Sequence, residues 1–330
     1  MCLIADIGGT NARFALVDEG SITPQHERTL PCSHYRSLVD AVMAYLDDVS
    51  EPMPDTAAFA IATPVSDDHI VMTNHIWDLS VKDTRKILGL KSLKVLNDFT
   101  ALALCLSFLR DSDYQKVGQG EPVEMQTKAV IGPGTGLGVS GAIYAGKYWL
   151  PLQGEGGHVS YGALNDREAD ILNIIRPHHK FISAESLVSG AGLVLLYKSI
   201  AICDGMAHEL LSPKQIVSKA LSGADAVAKE AVDMFCQILG SIAANLALTL
   251  GAHGGVFIGG GIVPRLGEYF TDSTFRARFE YNSRFGEYLA RIPTYVITSK
   301  YPALIGAAVS VQEQYGYLGV TSVSSSSVSN

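Results

Sequence analysis

Two glycine-rich segments carry the residue types that hold phosphate. Asp6-Ile7-Gly8-Gly9-Thr10-Asn11 and Gly132-Pro133-Gly134-Thr135-Gly136-Leu137-Gly138 lie about 126 residues apart, each between two apolar runs. Glycine turns the backbone sharply and lets an anion approach without meeting a Cβ. The N–H groups of such a turn can face anionic oxygens, and Thr10 and Thr135 each add a hydroxyl. One such loop alone reads as an ordinary hairpin turn; two with threonine at matching places favour phosphate. Neither is a Walker A sequence. Asp6 precedes the first loop, where a carboxylate would repel phosphate unless Mg2+ intervened. It is therefore the candidate metal-side residue.

Other segments suit proton transfer and hydroxyl recognition. Asn97 and Asp98 stand where an apolar run gives way to a helical pattern. The helix dipole favours a carboxylate there, so Asp98 is expected to stay ionised at neutral pH. Either residue could be an N-cap; the functional alternative is a general base acting on an attacking hydroxyl. Gly154-Glu155-Gly156-Gly157-His158 puts two polar side chains on a glycine-shaped backbone, able to bond vicinal hydroxyls. Without a helix, its Glu-x-x-His spacing does not suggest a zinc protease. Glu185, in Ser183-Ala184-Glu185-Ser186, reads locally as a helix N-terminal charge. Gly259-Gly260-Gly261 would offer a bare surface to a purine or ribose, or serve as a plain tight turn.

Strands and helices must hold these residues. Residues 3–7 and 12–17 read as a hairpin around the first loop, and 129–131 with 139–144 as a second hairpin. Short strands are expected at 57–62, 93–96, 256–258 and 295–298, and helices at 37–46, 99–109, 263–270 and 303–315. Residues 225–250 carry an apolar stripe at helical spacing, the mark of a core helix. The polar, Gly/Pro-punctuated residues 111–127 read as a hinge or loop. Residues 1 to about 109 therefore read as one α/β unit. The serines crowding residues 319–330 suggest a flexible tail.

Composition narrows the function classes. The 330 residues suit two domains, and 47% hydrophobic with 18% charged residues is an ordinary soluble balance. A net charge of −8 argues against nucleic acid and against anionic membranes. No signal peptide precedes the first strand, and no apolar run is expected to reach membrane-spanning length. Cys2, Cys32, Cys105, Cys203 and Cys236 are odd in number and scattered, which fits reduced thiols in a cytoplasm.

At DIGGTNAR (6–13), MTNH-x-W (72–77), NDFTA (97–101), GTGLGV (134–139), GEGGHV (154–159), SGAGLV (189–194) and GGVFIGGGIVPR (254–265), the chain closely resembles bacterial glucokinases of the non-ROK, proteobacterial type. The resemblance runs to about residue 318. It implies a two-domain actin/hexokinase-like (ribonuclease H-like) α/β fold with an active-site cleft between the domains, the small domain being 1–109 plus the returning about 299–318 and the large one 110–298. It implies ATP-dependent phosphorylation of D-glucose to glucose 6-phosphate, the first step of glycolysis, in a cytoplasmic homodimer.

By the same resemblance, Asp98 is the base on the sugar 6-hydroxyl, and Asn97, Asp98, Glu155, His158 and Glu185 bind the sugar. Ala5, Asp6, Ile7, Gly8, Gly9 and Thr10 form the first ATP-phosphate loop; Gly134, Thr135 and Gly136 form the second; Gly260 and Gly261 lie on the adenosine side. Mg2+ would sit by Asp6, directly or through water. Related ROK proteins carry a zinc-binding CxCGxxGC cluster after the sugar-binding histidine. Here the next cysteine after His158 is Cys203, alone, so no zinc is expected. No helix-turn-helix precedes the first strand, which disfavours a DNA-binding repressor. Pro133 departs from the small residue common at that place and should stiffen the loop. A kinase for another hexose and a sugar-binding regulator without turnover are the alternatives.

Overall fold

A computed structural model describes residues 1–65, 67–72 and 77–314. Positions 73–76 of the MTNH-x-W motif, Tyr315 at the end of the expected last helix, and the serine-rich 319–330 lie outside the described residues. The chain folds into two compact units. One comprises Met1–Leu109, Ala142–Gln153 and the described residues from Ser299 onward; the other comprises Arg110–Gly141 and Gly154–Thr298.

The first unit carries β1 (Cys2–Ile7), β2 (Asn11–Val17), β3 (Gln25–Pro31), β4 (Thr56–Ile61), a small hairpin of β5 (His69–Val71) and β6 (Asp78–Ser80), and β7 (Ser92–Asn97). Its main sheet has the order β3-β2-β1-β4-β7. β3-β2-β1 is antiparallel, while β4 runs parallel to both β1 and β7. The apolar runs of β1 and β4 are buried on both faces, whereas the polar QHERTLP of β3 suits an edge. Side chains alternate along β1. Leu3, Ala5 and Ile7 join a core with Leu38, Val42 and Tyr45, and Cys2 and Ile4 join another with Leu304, Ala307 and Val311.

Two helices of this unit hold the Asp98 region. Asp98–Cys105 packs on Pro302–Gln314, where a Cβ on Gly306 would lie 1.8 Å from the Ala101 carbonyl oxygen. Only glycine allows that approach. The buried Gln312 amide accepts Gly20 N–H and donates to the Asp18 and Ser21 carbonyls, tying the turn after β2 to the same helix.

The second sheet holds β8 (Tyr114–Val117), β9 (Lys128–Pro133), β10 (Leu137–Tyr144), β11 (Trp149–Leu152), β12 (Val256–Ile258) and β13 (Thr294–Ile297), in the order β11-β10-β9-β12-β13-β8. β12 runs parallel to β9 and β13, and β8 is antiparallel to β13. β8 corrects the reading of 111–127 as all hinge or loop. Its YQKV is polar because it is an edge strand, with Val117 alone fully buried. The expected helix over 263–270 is two short ones, Val263–Leu266 and Glu268–Asp272, broken at Gly267 with φ of 55°. Ala142–Gln153, within the span expected for the large domain, groups with the first unit, β11 packing on Asp98–Cys105.

The core of the second unit is built on Ala226–Leu250. This helix is long and apolar enough to cross a membrane, contrary to the expectation that no run would reach that length. Yet 72% of its most apolar window is buried inside the protein, the mark of a core helix.

Candidate active site

The first glycine loop joins β1 to β2. Gly8 N–H donates to the Asn11 carbonyl at 3.0 Å, so this donor closes the turn rather than facing outward. Thr10 is the exposed tip. Buried Cys32 braces the loop from behind: its N–H bonds the Thr10 carbonyl at 2.9 Å and its Sγ lies 3.4 Å from the Gly8 carbonyl. Asp6 pairs with Arg13 across the hairpin, Arg13 Nη1 standing 2.7 Å from Asp6 Oδ2. Burial pushes the Asp6 carboxyl upward, and the Arg13 guanidinium opposes that rise.

Asn97 ends β7 and Asp98 opens the following helix. Asn97 is the N-cap, its Oδ1 accepting Phe99 N–H at 2.9 Å and Thr100 N–H at 3.2 Å. Its Nδ2 donates to the Thr63 carbonyl at 3.3 Å and to Asp98 Oδ1 at 3.0 Å. Phe99 N–H also reaches Asp98 Oδ1, at 2.9 Å. The half-buried Asp98 carboxyl is pushed up to about 7, first by burial and then by the negative charge of Asp6. This corrects the expectation of a carboxylate kept firmly ionised by the helix dipole. Desolvation outweighs the donors from Phe99 and Asn97. A carboxyl poised near 7 suits a general base at neutral pH.

In the second unit several segments meet at the turn between β9 and β10. Gly134 N–H bonds the Gly136 carbonyl at 2.8 Å, leaving Thr135 as the exposed tip, as Thr10 is in the first loop. Glu185 Oε2 accepts Leu137 N–H at 2.8 Å. Gly190 N–H donates to the Gly134 carbonyl at 2.9 Å. The segment 185–190 therefore grips the turn at both ends. Ser183 caps the short helix Ala184–Leu187 that carries Glu185.

The remaining candidates surround the same turn. Gly157 sits where a Cβ would lie 2.0 Å from the Leu137 carbonyl oxygen, which places the Gly154–His158 segment against β10. Glu155 and His158 are exposed, and His158 N–H closes onto the Glu155 carbonyl at 3.0 Å. Gly260, with φ of +76°, lies over Pro133, where a Cβ would come 2.3 Å from that carbonyl oxygen. The same carbonyl accepts Ile262 N–H at 3.2 Å, so Pro133 sits in a hydrogen-bonded frame, with Gly260 and Gly261 exposed beside it.

The structure thus gathers Glu155, His158, Glu185, Gly134, Thr135, Gly136, Gly260 and Gly261 in the second unit, and Ala5 to Thr10, Asn97 and Asp98 in the first. Sequence reasoning missed Arg13, Cys32 and Thr63. Arg13 was within reach: a hairpin closing at residues 8–11 puts 13 opposite 6. Among the described residues no three His, Cys, Asp or Glu side chains form a ready metal cage. All five cysteines are free thiols.

A family model described as Glucokinase matches residues 3–314. A glucokinase of Neisseria meningitidis serogroup C is 48% identical over 309 residues, covering 94% of each chain. The crystal structure of glucokinase from an Antarctic psychrotroph matches with a TM-score of 0.87 at 35% identity, over 94% of this chain and 98% of that one. A ROK family glucokinase from Streptomyces griseus, solved with glucose and AMPPNP, shares the fold at a TM-score of 0.64 and 19% identity, over 95% and 99% of the two chains. The fold is the two-domain actin/hexokinase-like α/β fold. With the match running through nearly every segment described above, the chain belongs to the glucokinase family.

Proposed function

We propose that this protein transfers the γ-phosphoryl group of ATP to the 6-hydroxyl of D-glucose, opening glycolysis. The observation that carries the reading is Asp98, with one carboxylate oxygen bonded and its pKa near 7. Asp98 takes the hydroxyl proton while the sugar oxygen bonds to the γ-phosphorus. The bond to the β-phosphate oxygen breaks, and ADP leaves with that electron pair. Glu155, His158 and Glu185 hold sugar hydroxyls, with Asn97 beside the base. The loops Ala5–Thr10 and Gly134–Gly136 take the phosphates, and Gly260 and Gly261 the adenosine side. Asp6, paired with Arg13 through Oδ2, would hold Mg2+ that arrives with nucleotide phosphates. When bound, Mg2+ supplies charge neutralisation on those phosphates.

The names of the relatives and the glucose and AMPPNP of the Streptomyces griseus protein support this reading. We also propose a cytoplasmic homodimer, neither membrane-bound nor bound to nucleic acid; the free thiols fit that compartment. A steady-state assay over a panel of hexoses with ATP, ADP and polyphosphate tests the reaction. Preferred turnover of glucose with ATP is expected. Sugar binding without turnover of any sugar would instead make the protein a regulator. Light scattering of the eluted protein tests the dimer.

A further inference from the structure

Asn97 has every bonding position of its amide in use. Both hydrogens are donated, to the Thr63 carbonyl and to Asp98 Oδ1, and both lone pairs are taken, by Phe99 and Thr100 N–H. Thr63 lies two residues past β4, and Asn97 pairs with Ile61 at the end of that strand. The Asn97 side chain is therefore anchored to a central strand and to the helix start at once. The two bonds that reach Asp98, from Asn97 Nδ2 and Phe99 N–H, act on the same oxygen, Oδ1.

We infer that Asn97 is a positioning residue for Asp98, clamping Oδ1 so that Oδ2 is the oxygen presented to the sugar hydroxyl. This rests on the reading of Asp98 as general base and goes beyond a role for Asn97 in holding sugar. A carboxylate free to turn about its Cβ–Cγ bond would offer its oxygens in many directions. Anchoring one oxygen keeps the acceptor in line, and misplacement of such a group slows turnover far more than it weakens substrate binding. The clamp also bonds the ionised form of the base in preference to the neutral one. Asp6, on β1, is the charged group acting on the same carboxyl, in the opposite sense.

The test compares Asn97→Ser and Asn97→Asp with wild type in full pH profiles of kcat and of the glucose KM. Both replacements keep an N-cap acceptor and remove the donor to Asp98. The expected result is a kcat lowered roughly tenfold to a hundredfold. The acid limb of the profile should move to higher pH, further for the aspartate variant because it adds a like charge. An acid limb that stays in place in both variants overturns the inference, whatever happens to KM. Should the serine variant fail to fold, Asn97→Thr takes its place by the same limb, since it too keeps an N-cap acceptor, removes the donor and adds no charge. Asp98→Asn separates the two readings. Near-normal turnover there removes the base itself. An inactive Asp98→Asn beside unmoved Asn97 profiles removes only the clamp.

Discussion

Glu185 and Leu137 are joined by a hydrogen bond of 2.8 Å, the carboxylate Oε2 accepting the backbone N–H that follows the second glycine turn. A Cβ on Gly136 would stand only 2.4 Å from that same oxygen. A residue proposed to hold sugar is thus seated on a loop proposed to hold phosphate.

Gly136→Ala should therefore weaken sugar binding although Gly136 is placed with the phosphate. The added methyl displaces the Glu185 carboxylate, and one bond to a charged group corresponds to roughly tenfold to a hundredfold in affinity. Calorimetry with glucose alone, without nucleotide, measures it. Unchanged affinity would remove Glu185 from the sugar site.

Asp98→Asn should keep the fold and glucose binding while turnover falls by roughly two orders of magnitude or more. In the wild type, kcat/KM for glucose should rise about tenfold per pH unit on the acid side and level off near pH 7, because the ionised carboxyl is the active form. A flat profile through that range would exclude Asp98 as the base.

The same carboxyl should make stability fall as pH rises. Its folded-state pKa is raised from 3.8 to about 7, so folding favours the protonated form. That contribution is whole below about pH 4 and is lost as pH climbs through 7. Asp98→Asn removes the ionised form. It should melt above wild type at pH 8, with the gap narrowing toward pH 5 in thermal scans of the protein without ligands.

Arg13→Ala should damage activity more than stability. The ion pair with Asp6 is partly exposed, with side-chain accessibilities of 38% and 16%, and pairs of that kind contribute at most about 1 kcal/mol. The lost guanidinium flanks the first loop proposed to hold phosphate, where removal of a charged donor should lower kcat/KM for ATP by roughly tenfold or more. A lowered melting temperature with unchanged kinetics would make Arg13 a structural residue only.

Gly306→Ala inverts a usual rule. Alanine in a helix interior is normally better than glycine by about 1 kcal/mol. Here its methyl would strike the Ala101 carbonyl oxygen, and overpacking of a tight contact costs about 1–3 kcal/mol, so the clash wins. Urea titration should show lower stability, and kcat should fall because Asp98 opens the helix that is pushed.

Local pattern revealed much of this. The hairpins around both glycine loops, the long helix and the strand-to-helix step at Asp98 all follow from hydrophobic period and turn chemistry. β3 and β8 escaped because edge strands carry polar residues on exposed faces. The partner of Glu185 escaped because Leu137 lies 48 positions away in the chain. The Asp98 pKa escaped for a related reason: a helix start is visible in sequence, but burial beside Asp6 exists only after folding. Even the cap was half legible, since NDFT offers two cap residues and only the bonds of Asn97 choose between them.

The first unit is assembled from distant parts of the chain, and this sets an order of events during synthesis. A ribosome completes Gly154–Thr298 before it makes the helix Pro302–Gln314. Until that helix emerges, the Cys2, Ile4, Ala58 face of the first sheet lacks its cover of Leu304, Ala307 and Val311, and the Asp98 helix lacks its contact at Gly306. The unit that is made first is thus the one that finishes last. A nascent chain paused near residue 300 would present a bare apolar sheet face to chaperones.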